Sequence, residues 1–311
     1  MKSRLLNAWA SVRNGPLRGG ESVISLESTG VPRSVDIDGP FEAGPHDYVM
    51  RVTLNGIGLT MAEDEILVAD GLLRRFFVFR GASPDTVLLE IHSEFETGAS
   101  VSVAEGMPCV IRIALPRDPL FSLMSGRRIA VDPGHGGKDR GVRGPVNLLE
   151  KDCNLEVARE LAAIMASCGT VALLTREDDS YLEPGARLKE VARSSPEMAV
   201  EIHMAGEKDP LGRSYHIRAK PGCPLSRALA ASISEALKEN MGTAFGPIEE
   251  LPGETYPGFP VVRVEPLCLT YFADEANFRA PLYRRRIAQG IMNGIVRYVR
   301  SVVEGVRPPH K

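Results

Sequence analysis

Hydrophobic and polar residues alternate over short stretches in the first third of the chain, as they do in half-buried β-strands. The stretches that show this pattern, or a short apolar run, are 46–54, 65–69, 75–80, 86–91 and 109–115. Several short strands at near-regular spacing are typical of a small β-sandwich. We therefore predict a β-rich domain over residues 21–118, in which residues 21–45 add one or two further strands.

The pattern changes after Pro116-Arg117-Asp118-Pro119, where two prolines end the last strand and indicate a linker. Beyond it, short apolar strands alternate with segments of helical periodicity. The predicted strands are 128–131, 171–174, 198–202, 214–219 and 261–264, and the predicted helices are 150–167, 187–193, 225–241 and 282–303. This alternation indicates an α/β domain over residues 126–304, with a mainly parallel twisted sheet flanked by helices. Residues 305–311 remain as a tail.

The segment that opens the chain does not have the pattern of a secretory signal. Lys2 and Arg4 precede an apolar stretch that Asn7 interrupts, and Arg13 follows closely. A signal peptide needs an apolar region of about 7–15 residues. We therefore predict a poorly ordered leader over residues 1–20 and find no export signal in it.

Composition narrows the function classes. The chain has 311 residues, which predicts roughly two domains. Its 40 acidic residues against 37 Lys and Arg argue against a nucleic-acid-binding protein, which would carry a basic excess. No apolar stretch approaches about 18 residues, so no transmembrane helix is predicted. The five cysteines are scattered without a CxxC pair, which excludes a disulfide framework and a thiolate zinc site.

Two histidines follow predicted strands. His135 lies between glycines in Asp132-Pro133-Gly134-His135-Gly136-Gly137, after the strand at 128–131, and His203 directly follows the strand at 198–202. Ligands of open α/β sheets bind beyond the carboxyl ends of the strands. Alone, the first segment is equally well a glycine-rich turn, and a lone histidine after an apolar strand is more often a core residue. The pair favours a metal site.

Two glutamates complete the candidate site. Glu150 begins the predicted helix at 150–167, and with the two histidines it makes a His₂Glu set that suits catalytic zinc. Glu265 follows the strand at 261–264 and can act as the carboxylate that a zinc hydrolase uses to move protons. The alternatives are a partner of the helix dipole for Glu150 and a surface carboxylate for Glu265.

Together these segments resemble the catalytic domain of the zinc-dependent N-acetylmuramoyl-L-alanine amidases. The matching elements are the sequence DPGHGG at 132–137, E-K-D-x-N-L at 150–155, T-R at 175–176 with an aspartate after it at 178 or 179, an arginine at 187, and a glutamate at 265 before a long helix. They occur in the family's order between positions 126 and 304. DPGHGG is the only specific piece, but the complete order makes a chance match very unlikely.

The resemblance implies an enzyme that cleaves the amide between N-acetylmuramic acid and L-alanine of the peptidoglycan stem peptide. It assigns His135, Glu150 and His203 as ligands of one zinc ion, and Glu265 as the catalytic residue. His216 is a candidate oxyanion donor. Arg187 and Arg218 are candidates for binding stem-peptide carboxylates, although a salt bridge is the simpler role for both.

The sequence also departs from the family pattern. The family usually has S-I-H-A-N around the second histidine, where this chain has Glu201-Ile202-His203-Met204-Ala205. Pro266-Leu267 follow Glu265 where the family has a small residue and an aromatic one. Two alternatives therefore stay open: a catalytically silent homologue that binds peptidoglycan or regulates its turnover, and another zinc amidohydrolase or peptidase.

The resemblance bears on location and partners as well. It implies peptidoglycan as the partner and a site of action outside the cytoplasmic membrane, at the cell wall, although the predicted leader supplies no export signal. By architecture alone, the β-rich domain is similar to wall-targeting modules that precede such catalytic domains. Oligomeric state cannot be derived from the sequence.

Overall fold

The computed structural model describes residues 3–13, 19–242, 244–252 and 258–305. The chain divides into two compact units, Met1–Ser122 and Leu123–Lys311. The helix α1 (Asp118–Met124) begins directly after the last strand of the first unit, where the sequence predicted a linker. Apart from Gly305, the predicted tail at 305–311 lies outside the described residues.

Within its described residues, the first unit has ten strands in two five-stranded sheets, ordered β5-β1-β2-β10-β9 and β3-β4-β8-β7-β6. The strands are β1 (Ser3–Arg13), β2 (Glu21–Ser28), β3 (Ser34–Gly44), β4 (Asp47–Asn55), β5 (Ile57–Leu59), β6 (Asp64–Leu67), β7 (Leu73–Arg80), β8 (Thr86–Ser93), β9 (Ser100–Ala104) and β10 (Cys109–Pro116). Residues of both sheets share one apolar core. The predicted small β-sandwich is therefore confirmed.

The alternation of buried and partly exposed residues along the strands explains this core, as β10 shows. In β10, the residues Cys109, Ile111, Ile113 and Leu115 are fully buried while those between them are partly exposed. A strand turns successive side chains to opposite faces, so one face of β10 supplies the core and the other does not.

The prediction of a poorly ordered leader is wrong for residues 3–13. These residues form β1, which pairs antiparallel with β2 and parallel with β5. Leu5 lies fully buried in the core, and Ala8 and Ala10 pack against it. The local sequence does not reveal this strand, because its pairing with β2 and β5 depends on segments elsewhere in the chain. Residues 14–18 of the predicted leader lie outside the described part of the chain.

The second unit is an α/β domain around a six-stranded sheet with the order β12-β11-β13-β16-β14-β15. Its strands are β11 (Arg128–Pro133), β12 (Val171–Leu174), β13 (Met198–Ile202), β14 (His216–Ala219), β15 (Glu249–Glu250) and β16 (Val261–Glu265). Its helices are α2 (Glu150–Ser167), α3 (Pro184–Ala192), α4 (Pro224–Met241), α5 (Phe272–Phe278) and α6 (Pro281–Val303). β14 and β16 pair antiparallel, and the other neighbours are parallel. The predicted mainly parallel sheet is confirmed.

Two further findings concern both units. Within the described ranges, no helix combines the length and the hydropathy that crossing a membrane requires. All five cysteines are free, and four of them are buried. The thiols therefore form no disulfide framework.

Candidate metal centre

The carboxyl ends of three adjacent parallel strands bring the candidate residues to one edge of the sheet. In the register, Pro133 of β11 lies beside Ile202 of β13, which lies beside Val264 of β16. His203 directly follows Ile202, and its backbone N–H donates to the Val264 carbonyl at 3.0 Å. Glu265 follows Val264 in the same way, so the two residues occupy corresponding positions on neighbouring strands.

His135, Glu150 and His203 come together at this edge. One ligand atom from each lies within 4.8 Å of the other two. Glu150 Oε2 lies 3.1 Å from His135 Nε2, and its Oε1 lies 2.9 Å from His203 Nδ1. The two imidazole rings are 4.9 Å apart between centroids and nearly perpendicular. The three side chains predicted from the sequence as ligands are thus neighbours in the structure.

The Glu150 carboxylate lies at the centre of the cluster. Its side chain is buried, and it also accepts hydrogen bonds from the backbone N–H groups of Val142 (2.9 Å) and Met204 (3.1 Å). Burial alone would raise the pKa of Glu150, but hydrogen bonds and attraction from His135 and His203 outweigh it and hold that pKa below its usual range. The carboxylate is therefore ionised at neutral pH.

The environment of His135 is set by two carboxylates. Asp139 Oδ2 lies 2.8 Å from Nδ1, although not in hydrogen-bond geometry, on the ring nitrogen that does not face Glu150. Burial lowers the pKa of His135, but Glu150 first and Asp139 second raise it by more, so the net shift is upward. A carboxylate behind a ligating imidazole orients the ring and increases its basicity.

Two buried arginines hold the loop that carries His135. Arg187 donates to the carbonyls of Pro133 (3.0 Å) and His135 (2.7 Å). Arg176 donates to those of Pro133 (2.9 Å) and Gly134 (3.0 Å). Burial, followed by repulsion from Arg187, lowers the pKa of Arg176. Sequence reasoning missed this cradle because it depends on guanidinium groups that reach loop carbonyls from distant segments.

Arg187 is therefore placed under the loop and not on an open surface. Its side chain is 3% exposed, and it also lies 3.5 Å from the Asp132 carboxylate. Each of its three guanidinium nitrogens donates to a backbone carbonyl, the third to that of Leu182. This placement agrees with the structural alternative stated for Arg187 and leaves no donor nitrogen unused for a substrate carboxylate.

The DPGHGG loop is fixed at its far end by an ion pair. Lys151 Nζ lies 2.6 Å from Asp179 Oδ2 and 3.1 Å from the Gly137 carbonyl, while the Gly137 N–H donates to Asp179 Oδ1 at 2.8 Å. The hydrogen bond from Lys151, followed by the one from Gly137, lowers the pKa of Asp179. Of the two aspartates at 178 and 179, Asp179 is thus the one that contacts the loop.

Glu265 is held by an arginine at the edge of the sheet. Arg218 Nη1 donates to Glu265 Oε1, and Arg218 Nε donates to Glu249 Oε2 at 2.8 Å. His216 pairs in register with Glu265, and its Nδ1 lies 3.2 Å from Glu249 Oε1. His216 and Arg218 are therefore neighbours of Glu265, but Arg218 already binds two carboxylates of the protein itself.

The departures around His203 have local explanations. Met204 contacts Glu150 through its backbone N–H, a contact that does not depend on the side chain at this position. Glu201, in place of a small residue, is buried and pairs with Arg263 at 2.8 Å. Burial raises the pKa of Glu201 despite the attraction of Arg263. The ligand arrangement therefore accommodates both replacements.

The donor set fits a divalent transition metal. Two imidazole nitrogens and one carboxylate, with no sulfur, are typical of catalytic zinc sites. Metal–ligand bonds of about 2.0–2.2 Å place two ligands of one ion no more than about 4.4 Å apart. The separation of up to 4.8 Å is close to that limit. Small side-chain rotations would therefore bring the three atoms around one ion.

Comparisons with known proteins agree with this geometry. The sequence profile of the N-acetylmuramoyl-L-alanine amidase family, Amidase_3, matches residues 129–297. The chain is 28% identical over 179 residues to the N-acetylmuramoyl-L-alanine amidase LytC of Bacillus subtilis (strain 168), which covers 56% of this chain and 36% of LytC. It is 28% identical over 195 residues to the germination-specific N-acetylmuramoyl-L-alanine amidase of the same organism, covering 56% of this chain and 81% of that protein.

Solved structures show the same similarity. The amidase AmiC2 of Nostoc punctiforme superposes with a TM-score of 0.51 at 28% identity, covering 57% of this chain and 99% of AmiC2. The catalytic domain of CwlV from Bacillus (Paenibacillus) polymyxa var. colistinus gives 0.52 at 26% identity, covering 56% and 98%. The chain thus spans about a third of the length of LytC but nearly all of these domains. It belongs to the N-acetylmuramoyl-L-alanine amidase family Amidase_3.

Proposed function

We propose that this protein hydrolyses the amide bond between N-acetylmuramic acid and L-alanine of the peptidoglycan stem peptide, with one zinc ion held by His135, Glu150 and His203. The observation that carries the proposal is the convergence of these three side chains within 4.8 Å. They converge at the strand edge that also presents Glu265, in a chain of the Amidase_3 family.

The three ligands determine what the metal would contribute. A bound zinc ion supplies Lewis acidity, which polarises a carbonyl and lowers the pKa of a water molecule. The neutral imidazoles and the ionised Glu150 together carry one negative charge, so a dication leaves the centre with a net positive charge. That charge favours the negative charge that develops on the amide oxygen during hydrolysis.

Glu265 is the residue best placed to move protons. Arg218 binds its Oε1, and Oε2 has no hydrogen-bond partner within the described chain. Oε2 can therefore take a proton from the attacking water as the water oxygen bonds to the amide carbon. It then passes that proton to the departing alanine nitrogen as the C–N bond breaks. Arg218 keeps the carboxylate oriented for both transfers.

Glu150 is unsuited to the same task. Each of its two oxygens accepts a backbone N–H, and the ring nitrogens of His135 and His203 with which it would share the ion lie 3.1 and 2.9 Å away. A carboxylate that is engaged in this way has no free oxygen to receive a proton and is stabilised in its ionised form. The roles of ligand and base therefore separate between Glu150 and Glu265.

His216 stays a predicted oxyanion donor in this mechanism. Its Nδ1 faces Glu249, which leaves Nε2 as the nitrogen that can donate a hydrogen bond to substrate. Arg218 has less capacity to bind a stem-peptide carboxylate than its charge suggests, because it is mostly buried and two of its three guanidinium nitrogens already donate to Glu249 and Glu265.

The function is tested by metal analysis combined with digestion of purified sacculi. The expected result is one zinc per chain and release of intact stem peptides that begin with a free L-alanine amine. His203→Ala should abolish both. His92→Ala is the matched control, because His92 lies in β8, pairs with Asp47 at 3.0 Å and should leave zinc and activity unchanged.

Other outcomes identify other functions. Cleavage elsewhere in the muropeptide, seen by product mass, would indicate another zinc amidohydrolase or peptidase. Zinc binding and sacculus binding without cleavage would indicate a silent binding or regulatory homologue. A chain without zinc would contradict the proposed cofactor.

Two wider proposals follow from the same function. Peptidoglycan lies outside the cytoplasmic membrane, so we place the activity at the cell wall, where homologous amidases act. The β-sandwich of the first unit stays a predicted wall-targeting module on architecture alone.

A further inference from the structure

Arg213 forms a cluster with Asp274, Tyr215 and Tyr271 in the α/β unit, and this cluster has no role in the mechanism above. Arg213 donates to the Asp274 carboxylate from Nη2 at 2.7 Å and from Nε at 3.4 Å. Its side chain is 47% exposed, whereas the side chain of Asp274 is fully buried. A ligand that approaches from solvent therefore meets the cation, with the balancing anion hidden behind it.

Two aromatic rings lie within cation–π distance of this guanidinium. The central carbon of Arg213 lies 5.1 Å from the ring centroid of Tyr215 and 5.1 Å from that of Tyr271. Distances below about 6 Å are those of cation–π contacts, which favour a flat guanidinium held against the rings. The remaining nitrogen, Nη1, donates to no acceptor within the described residues. The cluster thus presents a cation that contacts Asp274 and two tyrosine rings and keeps an unused donor nitrogen.

The cluster lies at the edge of the sheet that carries the candidate metal centre. Arg213 precedes β14, which runs antiparallel to β16 and begins where β16 ends, with His216 opposite Glu265. Asp274 also accepts the Cys268 N–H at 3.0 Å, and Cys268 forms a parallel bridge with Ala205, two positions after His203. Arg213 is thereby tied to the segments that present His203 and Glu265.

We propose that Arg213, anchored by Asp274 and flanked by Tyr215 and Tyr271, binds a carboxylate of the stem peptide. This inference rests on the proposed amidase function, since it names a substrate contact of the same site. A guanidinium offers paired N–H groups that match the two oxygens of a carboxylate. Stem peptides carry acidic residues after the first alanine, so such a carboxylate lies on the leaving side of the scissile amide.

The comparison with the other candidate arginines supports this choice. The three guanidinium nitrogens of Arg187 donate to backbone carbonyls, and Arg218 binds Glu249 and Glu265. Of these three arginines, Arg213 combines the most exposed side chain with an unused terminal nitrogen.

The test uses two probes that differ in one group, the γ-methylamide of N-acetylmuramoyl-L-alanyl-D-glutamate, whose α-carboxylate is its only free carboxylate, and the corresponding isoglutamine form, in which that carboxylate is an amide. Hydrolysis is measured as kcat/KM on the zinc-loaded full chain. Binding is measured by calorimetric titration of the full chain carrying Glu265→Gln, in which turnover should be about 10²–10⁴-fold slower. We expect the free carboxylate to be preferred by about 10- to 100-fold, the strength of a hydrogen bond between charged groups.

Three variants isolate the contact. Arg213→Gln should remove the preference by weakening binding of the carboxylate probe alone, while Arg213→Lys should restore part of it because the charge remains. The matched control is Arg279→Gln: Arg279 is also 47% exposed and pairs with a buried carboxylate, Glu275, at 3.0 Å. The control should keep the wild-type preference between the probes.

The outcomes separate this inference from the proposed function. Tighter binding of the carboxylate probe that is lost in Arg213→Gln, without hydrolysis of either probe, would contradict the amidase function and support the subsite. Hydrolysis of both probes at equal kcat/KM, or equal losses for both in Arg213→Gln, would overturn the subsite and leave the amidase function standing. If neither probe were bound and neither were hydrolysed, both proposals would be overturned.

Discussion

Gly134 offers a direct test of how tightly the fold holds the candidate metal centre. A Cβ at this position would lie 2.2 Å from Cε1 and Nε2 of the His203 ring and 2.7 Å from Nδ1. The backbone has little room to retreat, because the Gly134 N–H donates to the Ile202 carbonyl at 2.9 Å and its own carbonyl accepts from Arg176 at 3.0 Å. In Gly134→Ala, the His203 ring must therefore move.

The required movement is large compared with what a metal site tolerates. Ordinary contact begins near 3.4 Å, so the ring must shift by about 1.2 Å. Metal–ligand distances stay within about 0.2 Å of their usual values. Substituting a residue that only hydrogen-bonds a metal ligand lowers metal affinity by about 10- to 100-fold, so displacing the ligand itself should lower it by at least about 100-fold. Overpacking should lower the free energy of unfolding by about 1–3 kcal/mol.

The assay compares zinc affinity, by competition with a chelator, with urea unfolding of the metal-free protein. Gly185→Ala is the control, because a Cβ on Gly185 in α3 meets no atom within 4 Å. It should keep zinc and the proposed activity. If Gly134→Ala bound zinc as tightly as the wild type, His203 would not be a ligand in the position that the structure gives it.

Four further predictions concern the same unit. Glu265→Gln should keep zinc and reduce sacculus digestion by about 10²–10⁴-fold; loss of zinc would instead make Glu265 a ligand. Arg187→Lys loses hydrogen bonds to carbonyls that contribute about 1.5–3 kcal/mol each, so the free energy of unfolding measured with urea should fall by that amount or more. Its zinc affinity, measured by chelator competition, should be about 10- to 100-fold weaker. Residues 123–311 expressed alone should fold and bind zinc, since the ligand contacts lie within that unit; an unfolded circular dichroism spectrum would contradict this. The raised pKa of His135 stabilises the metal-free protein below the ordinary pKa of 6.5, and this stabilisation is lost as pH rises through the raised pKa. Zinc affinity, measured by calorimetry, should increase over the same pH interval, because His135 no longer has to release a proton when zinc binds.

Much of the fold follows from local pattern. The alternation in β10 and the apolar runs before His135 and His203 predict buried strands, and the structure places them in the sheets. Register then brings the strand-end residues together, because the parallel strands β11, β13 and β16 are neighbours. Parallel neighbours end at one edge, so a strand-end pattern carries positional information even without coordinates.

Other parts of the fold could not be derived in this way. β1 was missed because pairing with β2 and burial of Leu5 decide its structure, and neither is visible in the local sequence. The short helix α5 was missed as well, and it supplies Asp274, which anchors Arg213. Both depend on contacts between segments far apart in the chain.

For the arginines, residue type alone does not indicate whether the side chain binds substrate or supports the fold. All three nitrogens of Arg176 and of Arg187 donate to backbone carbonyls, so these two buried cations can only support the loop. Arg218 binds two carboxylates, one of them the proposed base, so it positions Glu265. Arg213, like Arg218, retains a terminal nitrogen without a described acceptor, but its side chain is 47% exposed against 20% for Arg218. Buried cations need compensating partners, and the fold supplies them wherever the charge is structural. Unengaged donors on a side chain that solvent reaches, more than the charge itself, therefore distinguish an arginine that can bind substrate from one that holds the site together.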